Sequence, residues 1–590
     1  MNSIELSHVP HHTAIEEIVS VLTTRTQNDD PQFFRTIAAY FISVVASTMR
    51  ATLSTADRGE IPVNCYAVAL SPSGTGKGFS IGVMETEILS GFRNNFIQNT
   101  MPMIAEGNMR KLANMRSVRN DSSEDDEFLG LSKEYQQTGA YPFVFDKGSD
   151  AAIKQIRQQL LLADCGSINL QIDEIGSNLL GSTDALNAYL ELWDQGMIKA
   201  KLTKNTHENK RTEELFGKTP ANALLFGTPT KLLDGSKVES DFYAFLETGY
   251  ARRCIFTFGD PKSSATDLTP AQVYAKLIDP VNRNMASHWA NHFAYLADPS
   301  KHNWLIDVPD DVAIELHSYR IDCERLAKDF PEHAEIQKAE MAHRYFKALK
   351  LAGAFAFVDE SSTMTMYQLH AAIKLVEESG TSFQKILKRE KTYMKLARYI
   401  AAVGTEVTHA DLFEALPFYK SGSAARTELM TLATAWGYKQ HILIKKSFME
   451  GIEFYSGETL KETSLDEVQL CYSNDFAQNF EPAIVPFDSL HKLTQEPGLH
   501  WTNHKFKFSY RTEENVIEGF NMLVLDVDGG TSIDYARELL GEYVHMIYET
   551  KRSTKVDNRF RLIMPMNYEL KLDKVDYVAF VANIRNWLPF

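Results

Sequence analysis

Cysteine is scarce and scattered. Five occur in 590 residues, Cys65, Cys165, Cys254, Cys323 and Cys471, with no C-x-x-C and no His pair beside them. That spacing excludes a zinc knuckle and a disulfide framework and suits a reducing compartment. An excess of positive charge is also missing, since 61 Lys and Arg stand against 77 Asp and Glu for a net charge of −16. Any grip on a phosphate backbone must come from local basic patches. No apolar run is long enough to cross a bilayer. The strongest candidate, Phe33 to Met49, is short and carries Arg35, and it reads as a buried amphipathic helix. Met1 to His8 lacks the basic and apolar regions of a signal peptide, so a cytoplasmic protein with no membrane partner is expected. What remains is ordinary globular composition, 44% hydrophobic and 23% charged, enough for several domains.

The chain is organised around Ser71 to Gly78, Ser-Pro-Ser-Gly-Thr-Gly-Lys-Gly. An apolar run, Val63 to Leu70, precedes it, and a helix is expected over Phe79 to Leu89. Strand, glycine-rich turn, Lys and helix are what a phosphate-binding loop needs, because backbone N–H groups can face an anion while the Lys reaches the outer phosphates. Ser73, Gly74, Thr75, Gly76, Lys77 and Gly78 are therefore the candidate nucleotide-binding residues. Two positions depart from G-x-x-x-x-G-K-[ST]: Ser71 replaces the first Gly, and Gly78 stands where a hydroxyl would ligate Mg²⁺. The alternative is a glycine-rich surface turn.

A second apolar strand, within Gly166 to Gly176, ends in Asp173-Glu174. An ATPase needs such a pair, one acid for Mg²⁺ and the next to polarise the attacking water. With Gly78 unable to donate a hydroxyl, Asp173 carries more of the metal. A third strand, Ala221 to Thr230, ends in small polar residues, with Thr228 placed either to sense the γ-phosphate or simply to turn the chain. Arg252 and Arg253 precede a fourth apolar strand. In a ring ATPase such an Arg can stabilise transition-state charge in a neighbour's site; a local salt bridge is the other reading. Lys201, Lys204, Lys210 and Arg211 share a loop suited to tracking a strand's phosphates, or merely solvated.

Elsewhere the reading is coarser. Residues 1 to 58 look helical, with Asp29-Asp30-Pro31 starting a helix before Phe33. His8, His11 and His12 read as a mobile tail, since no carboxylates sit at ligand spacing. Asp121 to Glu127 reads as a solvated acidic loop. Helices are expected over Val312 to Lys328, Ala334 to Phe357 and Met366 to Leu387. Short helices at Thr408 to Leu416 and Ser423 to Trp436, then a two-strand signal around Met449-Glu-Gly451, suggest a winged helix, usable for DNA or as a protein-contact lid. His500 to Arg511 alternates like a strand. Phe520 to Gly530 places Asp526 and Asp528 at strand spacing i, i+2, so both carboxylates can share a divalent metal. A helix over Ser532 to Tyr543 and a basic strand near Asn558 to Pro565 follow.

These residues resemble phage and plasmid primase–helicase proteins, a P-loop helicase-type ATPase fused to an archaeo-eukaryotic-type primase–polymerase domain. The likeness spans most of residues 60 to 590. It rests on Ser-Gly-Thr-Gly-Lys, Ile-Asp-Glu, Glu191-Leu-Trp-Asp-Gln-Gly196, the Gly-Thr-Pro-Thr strand end, Gly-Tyr-Ala-Arg-Arg, Leu525-Asp-Val-Asp-Gly-Gly and Asn558-Arg-Phe-Arg-Leu-Ile-Met-Pro. The resemblance implies an α/β protein with four parts. These are an N-terminal helical segment (1–58), a RecA/AAA+-like P-loop ATPase (59–262), a helical and winged-helix region (263–460) and an α+β primase-like domain (461–590).

It further implies ATP and Mg²⁺ as cofactors, ATP-driven translocation on single-stranded DNA as a homo-hexamer or other ring, and the cytoplasm of a bacterial host. Two-metal nucleotidyl transfer would fall to Asp526 and Asp528. Two features depart from the family: Ser553 and Thr554 stand where it has a Ser-x-His, and its third metal carboxylate would lie beyond Phe590. The expectation is an incomplete primase half. Two other readings remain open. One is an Asp-x-Asp phosphatase-like C-terminal domain; the other is a DNA-binding scaffold that binds nucleotide without hydrolysing it.

Overall fold

The computed structural model describes residues 6–178, 183–199, 217–235, 237–259, 269–388, 390–419 and 422–588. They are mixed α/β and divide into two units, Met1–Arg389 and Glu390–Phe590.

The first unit is built on four parallel strands: β1 (Tyr66–Leu70), β2 (Ile168–Ile172), β3 (Ala221–Gly227) and β4 (Cys254–Phe258). They lie in the order β2-β3-β1-β4. All but Phe258 at the end of β4 are buried, which is why they read as continuous apolar runs: a parallel sheet is covered on both faces. Phe145 adds a parallel bridge to Leu170 at the β2 edge.

Two N-terminal helices belong to this core. Helix α1 spans Thr13–Thr26 and α2 spans Pro31–Thr48. The Asp30 side chain accepts from the Phe33 amide and Pro31 occupies the first turn, so the expected start is met by a cap and a residue with no N–H to lose. In α2 only Pro31, Gln32 and Arg35 escape full burial. The helix is buried nearly all round, more than an amphipathic helix would be.

Residues 269–388 share this core. The segment expected as one helix from Ala334 to Phe357 is two, Glu335–Ala342 and α4 (Arg344–Val358), broken at His343. Helix α5 (Met366–Leu387) has the expected bounds, set by a reciprocal Thr365–Gln368 capping box. Every residue of α4 is buried, Arg344, Lys347 and Lys350 included. Arg344 and Lys347 both pair with the fully buried Glu340 at 2.8 Å.

The reading of the N-terminal histidines as a mobile tail is corrected. His12 is 2% exposed, stacks on Phe355 at 4.3 Å and pairs with Asp359 at 3.0 Å. His11 pairs with Glu378 at 2.9 Å. The carboxylates come from the end of α4 and from α5, far away in the chain, so local spacing could not reveal them. The acidic run is corrected too: Glu124 to Glu127 form the exposed first turn of a helix, Glu124–Gln137, where acids favour the positive end of the helix dipole.

In the second unit a helix (Thr392–Val403), a short strand (Val407–Thr408) and two helices (His409–Ala415, Ser423–Lys439) lead into a hairpin of Ile442–Met449 and Ile452–Thr459. Its turn residues, Glu450 and Gly451, have φ of 51° and 86°, the paired positive values of a type I′ turn. The short strand pairs with the second hairpin strand, closing a three-stranded sheet.

Further along, Phe560–Leu570 lies between Phe520–Val527 and Met546–Glu549, antiparallel to both. The helix expected over Ser532 to Tyr543 is shorter, Ile533–Leu539. His500 to Arg511 is not one strand: it breaks into His500–Thr502, Lys505–Phe506 and a 3₁₀ turn, with Phe508 at φ 55°. Among the described residues, no helix is long and apolar enough to cross a membrane.

Candidate functional site

The carboxyl ends of β1, β2 and β3 converge on one cluster. Beyond β1 the chain forms the glycine-rich loop and enters helix α3 (Lys77–Val83), continued by a π-helical turn at Met84–Ile88. Gly74 and Gly76 have φ of 84° and 88°, values a side chain rarely tolerates. Ser71 needs no such freedom. Its amide donates to the Gly227 carbonyl at 3.1 Å and its hydroxyl to Thr75 Oγ1 at 2.5 Å. Thr75 Oγ1 in turn donates to the Pro72 carbonyl at 2.9 Å. Where the usual motif has Gly, two hydroxyls cross-brace the loop.

Lys77 reaches back over this loop. Its ammonium donates to the Ser71 carbonyl at 2.8 Å and to Thr228 Oγ1 at 3.1 Å. Thr228, immediately after β3, passes the chain on: its hydroxyl donates to Glu174 Oε2 at 3.0 Å and its amide to Glu174 Oε1 at 3.2 Å. Because β3 lies between β1 and β2, its Thr228 bridges the lysine of one neighbour and the acid of the other. Burial pulls the Lys77 ammonium below its ordinary range; Glu174 opposes that pull, while nearby Lys231 adds to it. A partly desolvated cation with two replaceable acceptors is poised to take an anion.

Asp173 is exposed beside this cluster. The Glu85 carboxyl, in the π-helical turn, is pushed up by burial and further by the charge of Asp173, while the charge of Arg93 pulls it the other way. Gly78 offers no ligand, yet a Cβ built on it meets nothing within 4 Å, so the missing hydroxyl is a matter of chemistry and not of space. Mg²⁺ at a phosphate site takes one or two carboxylates along with phosphate oxygens and water. Asp173 and Glu174 fit that requirement.

The two arginines lie elsewhere. They precede β4, at the amino edge of the parallel sheet, a strand length (~16 Å) from the glycine-rich loop. Arg253 is buried; it donates to the Gly249 carbonyl at 3.1 Å and lies 3.6 Å from Asp194. Gly249 has φ 117°, and a Cβ there would sit 2.6 Å from the Arg253 guanidinium. The Trp-Asp-Gln-Gly and Gly-Tyr-Ala-Arg-Arg stretches thus meet in one ion pair. Arg252 is half-buried. Neither arginine is brought to Lys77 or Glu174 within the chain.

In the second unit Asp526 is held by Arg561, its cross-strand partner, through both carboxylate oxygens. Asp528 lies 3.8 Å from Arg559, which also bonds Asp557 at 3.2 Å. The strand ends at Val527, so Asp528 lies just beyond it, and both carboxylates are answered by arginines. Among the described residues, no group of three or more His, Cys, Asp or Glu is placed to hold a metal. This pair does not fit a two-metal centre. Lys201, Lys204, Lys210 and Arg211 lie outside the described residues.

Asn28 hydrogen-bonds the glycine-rich loop from the α1–α2 turn; no local pattern in the sequence announces a contact between positions 28 and 75. No protein-family model matches the chain, and neither does any curated protein.

Proposed function

We propose that the first unit is a P-loop ATPase of the RecA/AAA+ type and that the chain couples ATP hydrolysis to movement on DNA. The observation that carries this reading is the Lys77–Thr228–Glu174 chain across three neighbouring strand ends. On nucleotide binding, Lys77 exchanges the Ser71 carbonyl and Thr228 hydroxyl for β- and γ-phosphate oxygens. Thr228, freed of the lysine, reports the γ-phosphate to Glu174. Glu174 orients water for in-line attack and draws off its developing positive charge. Mg²⁺ held near Asp173 would neutralise charge on the phosphate oxygens.

The second unit supports the coupling to nucleic acid through its order of elements. Its helix–strand–helix–helix–hairpin order resembles that of a winged helix. We assign Arg252 the contact with a neighbouring subunit's site in a ring, because Arg253 is committed to Asp194 and Gly249. No nucleotidyl transfer is assigned to Asp526 and Asp528.

The test is ATP hydrolysis with and without single-stranded DNA, in wild type and Glu174→Gln. The reading expects DNA-stimulated hydrolysis that falls by about 10²-fold or more in the variant while ATP binding persists. Gly78 favours a second reading, a nucleotide-gated scaffold. Nucleotide binding without hydrolysis in the wild type would establish that instead.

A further inference from the structure

The turn between α1 and α2 presses against the phosphate loop. Asn28 is 4% exposed, and its Nδ2 donates to the Thr75 carbonyl at 3.0 Å. Its Oδ1 accepts from the Asp30 amide at 3.2 Å. That second bond fixes which end of the side-chain amide faces the loop, since only an oxygen can accept from Asp30. Asp30 in turn caps α2, so Asn28 is anchored to a buried helix. Next to it, Thr26 fills the space where a Cβ on Gly76 would go, its Cβ and Cγ2 being 2.8 and 2.9 Å from that position.

A peptide unit is planar, with its C=O and N–H pointing opposite ways. Holding the Thr75 carbonyl on Asn28 therefore aims the Gly76 N–H away from the α1–α2 turn. That N–H donates to nothing among the described residues. An unpaired amide with a fixed direction, one residue before Lys77, is a donor prepared for an anion.

We propose that Asn28 is a positioning residue for the nucleotide's phosphates: it locks the Thr75–Gly76 peptide so that the Gly76 N–H meets a β-phosphate oxygen. The inference rests on the nucleotide-site reading above and adds a residue 47 positions upstream of Thr75 to it. Without Asn28 the peptide can rotate, and the amide must be ordered at the expense of binding.

The experiment uses the full chain, with Asn28→Ala and the near-isosteric Asn28→Asp, which keeps the acceptor for Asp30 but loses the donor. Affinities for ATP and for AMP are measured at a temperature where nucleotide-free melting curves show each variant folded. The expected result is a loss of about five- to tenfold in ATP affinity with AMP affinity changed less than about twofold, one hydrogen bond's worth. Equal losses for ATP and AMP would mean that Asn28 only supports the fold, and the proposal fails. ATP affinity within about twofold of wild type also overturns it, while leaving the nucleotide site standing. A wild type that binds no ATP removes both readings together. If Asn28→Ala does not fold, Asn28→Asp decides alone.

Discussion

The two units each end a strand in a pair of acids, and they treat those acids in opposite ways. In the first, Glu174 is tied by a neighbouring strand's Thr228 to a lysine that burial has partly stripped of water. In the second, Asp526 and Asp528 stand on an exposed edge, with side chains 60% and 81% accessible, and arginines already answer both. Charge held in a low-dielectric setting interacts strongly and in a fixed geometry; charge at the surface is screened and easily satisfied. In the proposed function, the first arrangement is preorganised for an arriving anion. The second is complete without a ligand. Identical motif logic therefore gives a working hypothesis at one strand end and none at the other.

The sharpest way to break this contrast is Gly76→Ala. The backbone there is left-handed, and the added methyl collides with Thr26. The change should cost about 2 kcal/mol or more in stability and weaken ATP binding by more than about tenfold. Equilibrium urea unfolding and a nucleotide titration measure the two effects. ATP binding that survives unchanged would mean the loop is not the anion site, and the first unit would lose its claim to be different.

Much of that cluster was readable in the sequence, because glycine-rich loops and acid-terminated strands are local. Ser-Gly-Thr-Gly-Lys and Ile-Asp-Glu announce themselves within a few residues, as does the Glu450-Gly451 turn. What stayed hidden depends on distant partners. His12 finds Asp359, Asn28 finds Thr75, and Arg253 finds Asp194, and no periodicity encodes such pairings. Surface acids misled in a different way: Glu124 to Glu127 are as polar as a loop, yet they suit the first turn of a helix.

A middle-sized effect tests buried charge away from the site. Lys350 is enclosed, donating to the Pro62 carbonyl at 2.8 Å and to Asn64 Oδ1 at 2.5 Å, with Trp193 and Phe346 facing it. Burial lowers its pKa to about 7, against ~10.4 for an unfolded lysine. Between those values the unfolded chain binds the extra proton, so this group makes stability rise with pH and withdraws that gain as pH falls towards 7. Lys350→Met should remove the increment, on the order of 2 kcal/mol between pH 7 and 9.5. The comparison must be between variant and wild type, because burial raises Cys65 and Cys165 to about 12 and their unfolded-state ionisation works in the opposite direction. Parallel pH profiles for the two proteins would show that Lys350 is hydrated after all.

The smallest effect belongs to the second unit. Asp526→Asn removes one charge from a pair in which Arg561 also bonds Tyr548 at 3.0 Å and so keeps a partner. An exposed ion pair contributes less than about 1 kcal/mol, so the denaturant midpoint should barely move and should move less in high salt. ATP hydrolysis by the first unit should be unchanged. A large drop in stability would show that this pair is screened from water, contrary to the contrast drawn above. Tight Mn²⁺ binding by the wild type, lost in Asp526→Asn, would be more damaging: it would mean that the arginines yield to a metal and that the exposed acids are a site after all.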